Sequence, residues 1–361
     1  MMIGHGRKLH CLAVSTAVSL LASAQAQPPE GLHTFDWAVI GDPGNVAYDG
    51  EFDLSSDFPE DRFSVGHGSV DYTYQMSKLE VTTGQWLDFV NRFATQSSNP
   101  ISFLRGSSRG IVGSGPFGNY ALNPHVDNAE QLPVEVTFVS SMMYANWLHN
   151  GTPDDINSLF HGAYQLDFEP GENPTLEQVP LEHEPDAKFW IPTLDEWIKA
   201  AHYDPDHDGP GEGGYWRYNT TSDTAPVTGL PGEGGTSAGL PNSPDEHDPD
   251  FVSPTEIPLG AYPETMSPWG LLDTSGGNQE WTAGLWPVLH QADNRLLGGS
   301  GPLVDGTDND EISLGFRIFS HGNVGFVLAG NGLRLASPIP TPSAIMVFAF
   351  GIAVVHRSRA R

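Results

Sequence analysis

Apolar residues in this chain fall into short bursts separated by long polar stretches, and several bursts carry a readable period. The clearest is residues 188–203, KFWIPTLDEWIKAAHY. Phe189, Trp190 and Ile191 favour a strand, and Pro192 ends it. Thr193 and Glu196 then make a Thr-x-x-Glu capping box, in which the hydroxyl takes the Glu196 amide and the carboxylate reaches back. Trp197, Ala200 and Ala201 follow at i, i+3 and i+4, so one helical face sets a large indole beside two small residues. The pattern predicts a strand–turn–helix corner buried in the core.

The same reading applied from the start of the chain predicts a strand over 35–40, closed by the turn cluster at 41–45. A second strand spans 70–79, with Val70, Tyr72 and Tyr74 on one face. Thr82 and Gln85 form another capping box, and Trp86, Phe89, Val90 and Phe93 make one apolar stripe on the helix behind it. A strand at 134–139 leads to a helix capped by Ser140, packed through Tyr144, Trp147 and Leu148 and stopped at Asn150-Gly151. Residues 97–118, 152–187 and 226–256 have no period and read as loops, in keeping with 41 glycines and 30 prolines.

One loop carries candidate chemistry. Asp204, Asp206 and Asp208, followed by Gly209, place three carboxylates around a turn, the hard oxygen donors that calcium takes. The twelfth position of such a loop is Tyr215 and not the bidentate Glu of an EF-hand. Two readings stand side by side: a looser oxygen cage for calcium, or a solvated acidic turn.

Six segments, in order, resemble the formylglycine-generating enzyme family, also called the sulfatase-modifying-factor domain. Glu80-Val-Thr-Thr83 with its aromatic stripe is similar to the family's EVTNxQYxxF. The 133–148 segment is similar to PVxxVSWxDAxxYANWL, and the 191–198 corner to LPTEAEWE. Gly270, Leu271, Asp273, Gly276, Glu280 and Trp281 match GLYDMxGNVxEW, with Gly277 and Asn278 where Asn and Val are usual. Residues 297–300 resemble RGGS, and 313–318 resemble the terminal strand IGFRV. The resemblance implies an irregular, loop-rich α+β fold of the C-type-lectin-like kind over residues 35–336. It also implies calcium held by oxygens around the GLYDM-type motif, which adds Asp273 and Glu280 to the candidate metal ligands. The structural alternative there is a tight glycine turn with Trp281 in the core.

The two ends read as addresses. Residues 1–26 have a basic start (Arg7, Lys8), a short apolar run and a small-x-small site at Ala24-Gln25-Ala26, the layout of a secretory signal. At the other end, residues 337–361 join a proline-rich linker, the apolar run 344–355 and an arginine cluster. The twelve apolar residues would span ~18 Å as a helix, short of a ~30 Å hydrocarbon core. This tail resembles a PEP-CTERM sorting signal, with Thr341 where that family has Glu. It implies processing by an exosortase, and the alternative is a simple anchor. Membrane contact is expected only through this tail, and the body is expected at the cell surface or outside the cell.

Charge narrows the partners. The chain carries −29 formally, and losing both address segments removes five positive and no negative charges, giving −34. So acidic a body excludes nucleic acid and welcomes cations.

The sole cysteine, Cys11, lies in the signal. Enzymes of the resembled family oxidise a sulfatase cysteine to formylglycine with copper held by two cysteines between the RGGS and GFR motifs. Here that interval, 301–314, offers Asp305, Asp308 and Asp310 but no thiolate, and soft Cu(I) needs sulfur. No copper is expected. Two functions follow: a non-catalytic binding protein for a polysaccharide or protein ligand, displayed on loops 97–118 and 226–256, or a formylglycine-generating oxidoreductase. Cysteine absence favours the first, and no catalytic residue is assigned.

Overall fold

The capping boxes set where the helices begin. In a computed structural model, which describes residues 33–52, 64–93, 109–113, 120–168, 178–240, 252–285, 294–299, 322–323 and 331–340, helix α1 runs Thr83–Phe93. The Thr82 amide donates to the Gln85 side chain, and the Gln85 amide donates to the Thr82 hydroxyl. Helix α3, Leu194–His202, opens on Thr193, whose hydroxyl accepts from the Glu196 amide while Glu196 accepts from the Thr193 amide at 2.7 Å. Helix α2, Phe138–His149, starts earlier than its sequence suggests. Thr137 is its N-cap, and Ser140 is the third helical residue that closes the box. The strand expected at 134–139 does not form, and Pro133 makes only an isolated bridge to Thr82. Val134 and Val136 are buried, but Thr137 already turns the chain into the helix.

The strands are short. β1 (Trp37–Ile40), β2 (Tyr74–Ser77) and β11 (Ala336–Pro338) form an antiparallel sheet in the order β1-β2-β11. Ala38 and Ala336 flank Met76 from either side, so the register turns these residues to one core face. The second sheet has the order β10-β7-β8-β9, from β7 (Gln279–Leu285), β8 (Asn294–Gly298), β9 (Gly322–Asn323) and β10 (Asn331–Gly332). Its β10–β7 pairing is parallel and the others antiparallel. Two hairpins complete the set, β3 (Ile111–Gly113) with β4 (Tyr120–Leu122), and β5 (Tyr203–Gly209) with β6 (Glu212–Tyr215).

Four further expectations change, the first being that β3 (Ile111–Gly113) lies within the loop expected over 97–118. The strand expected over 70–79 pairs only at 74–77, and Tyr72 leaves the core face, 48% exposed, with its hydroxyl donating to Glu196. The strand expected at 189–191 is a single bridge, Trp190 to Ala336. The acidic turn at 204–209 is a strand of a hairpin, because Tyr203 pairs with Tyr215 and Asp204 with Gly214. Helix α1 lays its stripe against α2, with Trp86 on Tyr144 and Phe89 on Trp147, ring centroids 5.4 and 5.1 Å apart. Aromatic pairs at this spacing add about 0.5–1.5 kcal/mol beyond burial. Trp197 lies so close over β8 that a methyl group at Gly298 would enter its ring. Among the described residues no helix is long and apolar enough to cross a membrane, and the apolar tail at 344–355 lies outside them.

Candidate functional site

The polar centre of the molecule is a buried ion pair. Glu280 stands on β7 opposite Gly332 of the parallel strand β10. Two residues past Gly332, Arg334 returns its side chain, wholly buried, to that carboxylate. Nε donates to both Glu280 oxygens, at 3.0 and 2.9 Å, and Nη2 donates to Oε1 at 2.6 Å. Nη1 reaches the carbonyls of Ser77 and Lys78, and Nη2 also reaches that of Leu272. The guanidinium thus has partners for all five of its N–H groups. Glu280 Oε2 further accepts from the Trp197 indole at 2.7 Å. One charged pair thereby joins the end of β2, the 267–278 turn, β7 and helix α3.

A second carboxylate is buried beside it. Glu80, just before α1, accepts the Asn278 amide through Oε1 at 3.0 Å. Its Oε2 has no hydrogen-bond partner among the described residues. Burial, and then the charge of Glu280, push the Glu80 carboxyl well above the ordinary carboxylate range. Gly277 and Gly332 wall this carboxylate, and a Cβ at either would collide with it. That explains Gly277 where the resembled motif has Asn. Asn tolerates the left-handed φ of 64° there, but its Cβ has no room.

The structure separates the candidate metal ligands into two groups. Asp273 and Glu280 share the 270–281 segment, yet each is engaged elsewhere. Asp273 accepts the Gly260 amide at 2.6 Å, and burial raises its carboxyl to about 6. Glu280 faces Arg334 and Trp197. Asp204, Asp206 and Asp208 lie apart on β5. Asp204 accepts from the Asp206 amide and the Trp216 indole, Asp206 accepts the Gly211 amide, and Asp208 meets His207 Nδ1. Among the described residues no three His, Cys, Asp or Glu side chains come together as a metal cage requires. Asp305, Asp308 and Asp310, and the whole 301–314 interval, lie outside the described residues.

Sequence reasoning missed Arg334, Glu80 and Asn278. A signal for Arg334 was present: Gly332-Leu-Arg-Leu335 repeats the pattern of Gly315-Phe-Arg-Ile318. The terminal motif was assigned to 313–318, which lies outside the described residues, while the chain closes its sheet through 332–338. β11 also runs to Pro338, two residues into the segment read as tail.

The sequence matches the sulfatase-modifying factor enzyme 1-like domain over residues 39–319. Among solved structures, it is similar to variable protein 1 of Treponema denticola, at 16% identity and a TM-score of 0.47, over 84% of this chain and 95% of that one. It is similar to CarF at 19% identity and a TM-score of 0.47, over 85% and 99%. A third is PvdO from Pseudomonas aeruginosa, at 13% identity and a TM-score of 0.40, over 83% and 100%. No curated protein matches the chain.

Removing one partner of the buried pair leaves the other charged and uncompensated. Glu280→Gln and Arg334→Met are each expected to cost about 3–5 kcal/mol in urea unfolding. The double variant Glu280→Leu/Arg334→Met should cost clearly less than the two together. Single losses below about 1 kcal/mol would show that water already enters the pair.

Glu80 gives a pH dependence of defined sign. Its folded-state pKa lies above the unfolded one, so its contribution is whole below the ordinary carboxyl value and is lost as pH rises towards the folded value. Glu80→Gln, neutral and of the same shape, should flatten that decline in a melting-temperature series against pH. An unchanged slope would mean that Glu80 ionises without cost.

Proposed function

The chain belongs to the sulfatase-modifying factor enzyme 1-like domain family, and within it we propose an exported binding protein rather than an oxidase of sulfatase cysteines. One observation carries the reading: the only cysteine is Cys11. Once a secretory signal at 1–26 is removed, the working protein has no thiolate, while copper oxidation of a cysteine requires a soft-ligand redox site. Carboxylates such as Asp305, Asp308 and Asp310 would hold only hard cations, which lack the one-electron couple.

The arrangement of the 226–240 loop supports a display role. Its inner edge is fastened to the glycine turn of the core. Thr236 donates to the Ser275 carbonyl at 2.6 Å, and Ser237 accepts the Gly277 amide. Tyr262 donates to the Gly229 carbonyl from the other side. Val227, at the outer edge, is 69% exposed. A loop held at its base by a rigid core leaves its outward side chains free to vary with the ligand. The ligand class is a polysaccharide or a protein of the cell exterior. The 337–361 tail would deliver the body to the surface through an exosortase-type machinery.

Two measurements test this. Purified, copper-supplemented protein incubated with a sulfatase-motif peptide should produce none of the mass loss that marks conversion of cysteine to aldehyde; turnover would sink the binding reading. Intact mass of the protein recovered from envelope or medium should lack residues 1–26 and end beyond Pro338 within the proline linker. A chain still beginning at Met1 would refute export, and one retaining Arg361 would refute tail processing.

A further inference from the structure

His33 lies just before β1, and its side chain, 11% exposed, is wedged between α1 and α2. Its Nε2 is 2.9 Å from Asp88 Oδ2 on α1, and its Nδ1 is 2.8 Å from the Tyr144 hydroxyl on α2. The ring also stands edge-on to Trp147 of α2, with centroids 4.6 Å apart. We infer that His33 is a proton-sensitive latch, whose neutral ring clamps the segment before β1 across the two helices and whose protonation loosens that clamp.

The hydrogen-bond roles carry this. Tyr144 is fully buried, and among the described residues its hydroxyl has only His33 as a partner. A buried O–H needs an acceptor, so Nδ1 is the lone-pair nitrogen and Nε2 carries the hydrogen donated to Asp88. Only the neutral imidazole can accept at one nitrogen while donating at the other. A second proton would turn Nδ1 into a donor aimed at the Tyr144 oxygen, and the tyrosine hydrogen would lose its acceptor in a dry site.

Charges around the ring act in both directions. Asp88 attracts an imidazolium, but Arg92, one turn along α1, already donates to the same Asp88 oxygen at 3.1 Å and opposes a second cation there. Arg92 is held in place over the Trp147 ring and by Asp154 beyond α2. Burial would raise Asp88, yet the hydrogen bonds and charges of His33 and Arg92 keep it below the ordinary carboxylate range and so ionised. For His33 itself burial prevails over the pull of Asp88, and its pKa lies below the ordinary imidazole value. The clamp is therefore whole above that ordinary value and weakens as pH falls towards the folded-state value.

The test is hydrogen exchange on the full chain between pH 8 and pH 5, corrected for intrinsic rates, with a proton NMR titration of His33. Protection of the peptide spanning 33–40 should fall by up to about tenfold per pH unit between the free-imidazole value and the His33 midpoint. Peptides from α3 carry a separate pH dependence from buried His202, which burial holds at about 4, so the part assigned to His33 is the part that His33→Gln removes. His33→Gln, which can accept from Tyr144 and donate to Asp88 at every pH, should remove the dependence. Protection that is constant or rises on acidification overturns the latch, as does a His33 midpoint above free imidazole. A dependence that survives in His33→Gln overturns it as well. Should that variant fold poorly, the wild-type titration decides by itself, since the latch requires loss of protection to follow the His33 midpoint.

Discussion

A guanidinium taken wholly out of water must find acceptors for five hydrogens and a counter-charge, or the fold does not survive its desolvation. Arg334 finds them in three carbonyls and one carboxylate. Those acceptors belong to segments far apart in sequence: Ser77 and Lys78 at the end of β2, Leu272 in the glycine-rich turn, and Glu280 on β7. With so few regular hydrogen bonds in strands this short, the ion pair supplies the directional constraint that a longer ladder would otherwise provide. Glu280 extends it to α3 through the Trp197 indole, so the corner at 190–197 and the closing segment at 332–338 are positioned by one charge. Replacing such pairs by apolar groups is often neutral for stability, which makes their geometric role the more telling one.

Around the pair, space is rationed by backbone. Gly332 and Gly277 admit the Glu80 carboxylate where any Cβ would exclude it, and Gly298 admits the Trp197 ring. These glycines are needed for close approach, and at Gly277 also for a left-handed backbone. The guanidinium bonds to Glu280 and not to Glu80, whose carboxyl burial pushes well above the ordinary range. Both oxygens of Glu280 are engaged, and the side chains of the pair are closed off from solvent.

A closed core with loops fastened to it separates the residues that the scaffold requires from those that chemistry would require. The sulfatase-modifying factor scaffold depends on the corner, the aromatic stripe and the glycine turn, all of which are present. Copper chemistry in that family would depend on paired thiolates, which are a separate set of side chains that can be lost without touching the core. His33, just before β1, likewise joins α1 and α2 through a single titratable ring, apart from the Glu280–Arg334 pair.

Local patterns were legible in the sequence because their causes are local. The Thr193–Glu196 and Thr82–Gln85 boxes, the α1 stripe and the positions of most turns follow from interactions within a few residues, and they appear as read. The cysteine content is likewise a property of the sequence alone. Ser140 was misplaced by one helical turn because Thr137 competes for the same cap. The acidic run at 204–208 resembles a metal loop until Tyr215 and Gly214 come alongside and draw it into a strand. Arg334 and Glu80 could not be assigned from spacing, since their partners lie dozens to hundreds of residues away. Nor could the partners of Asp273 and Glu280 be read from spacing: the Gly260 amide and the Arg334 guanidinium come within reach of them only because the tertiary structure closes segments distant in sequence onto one another.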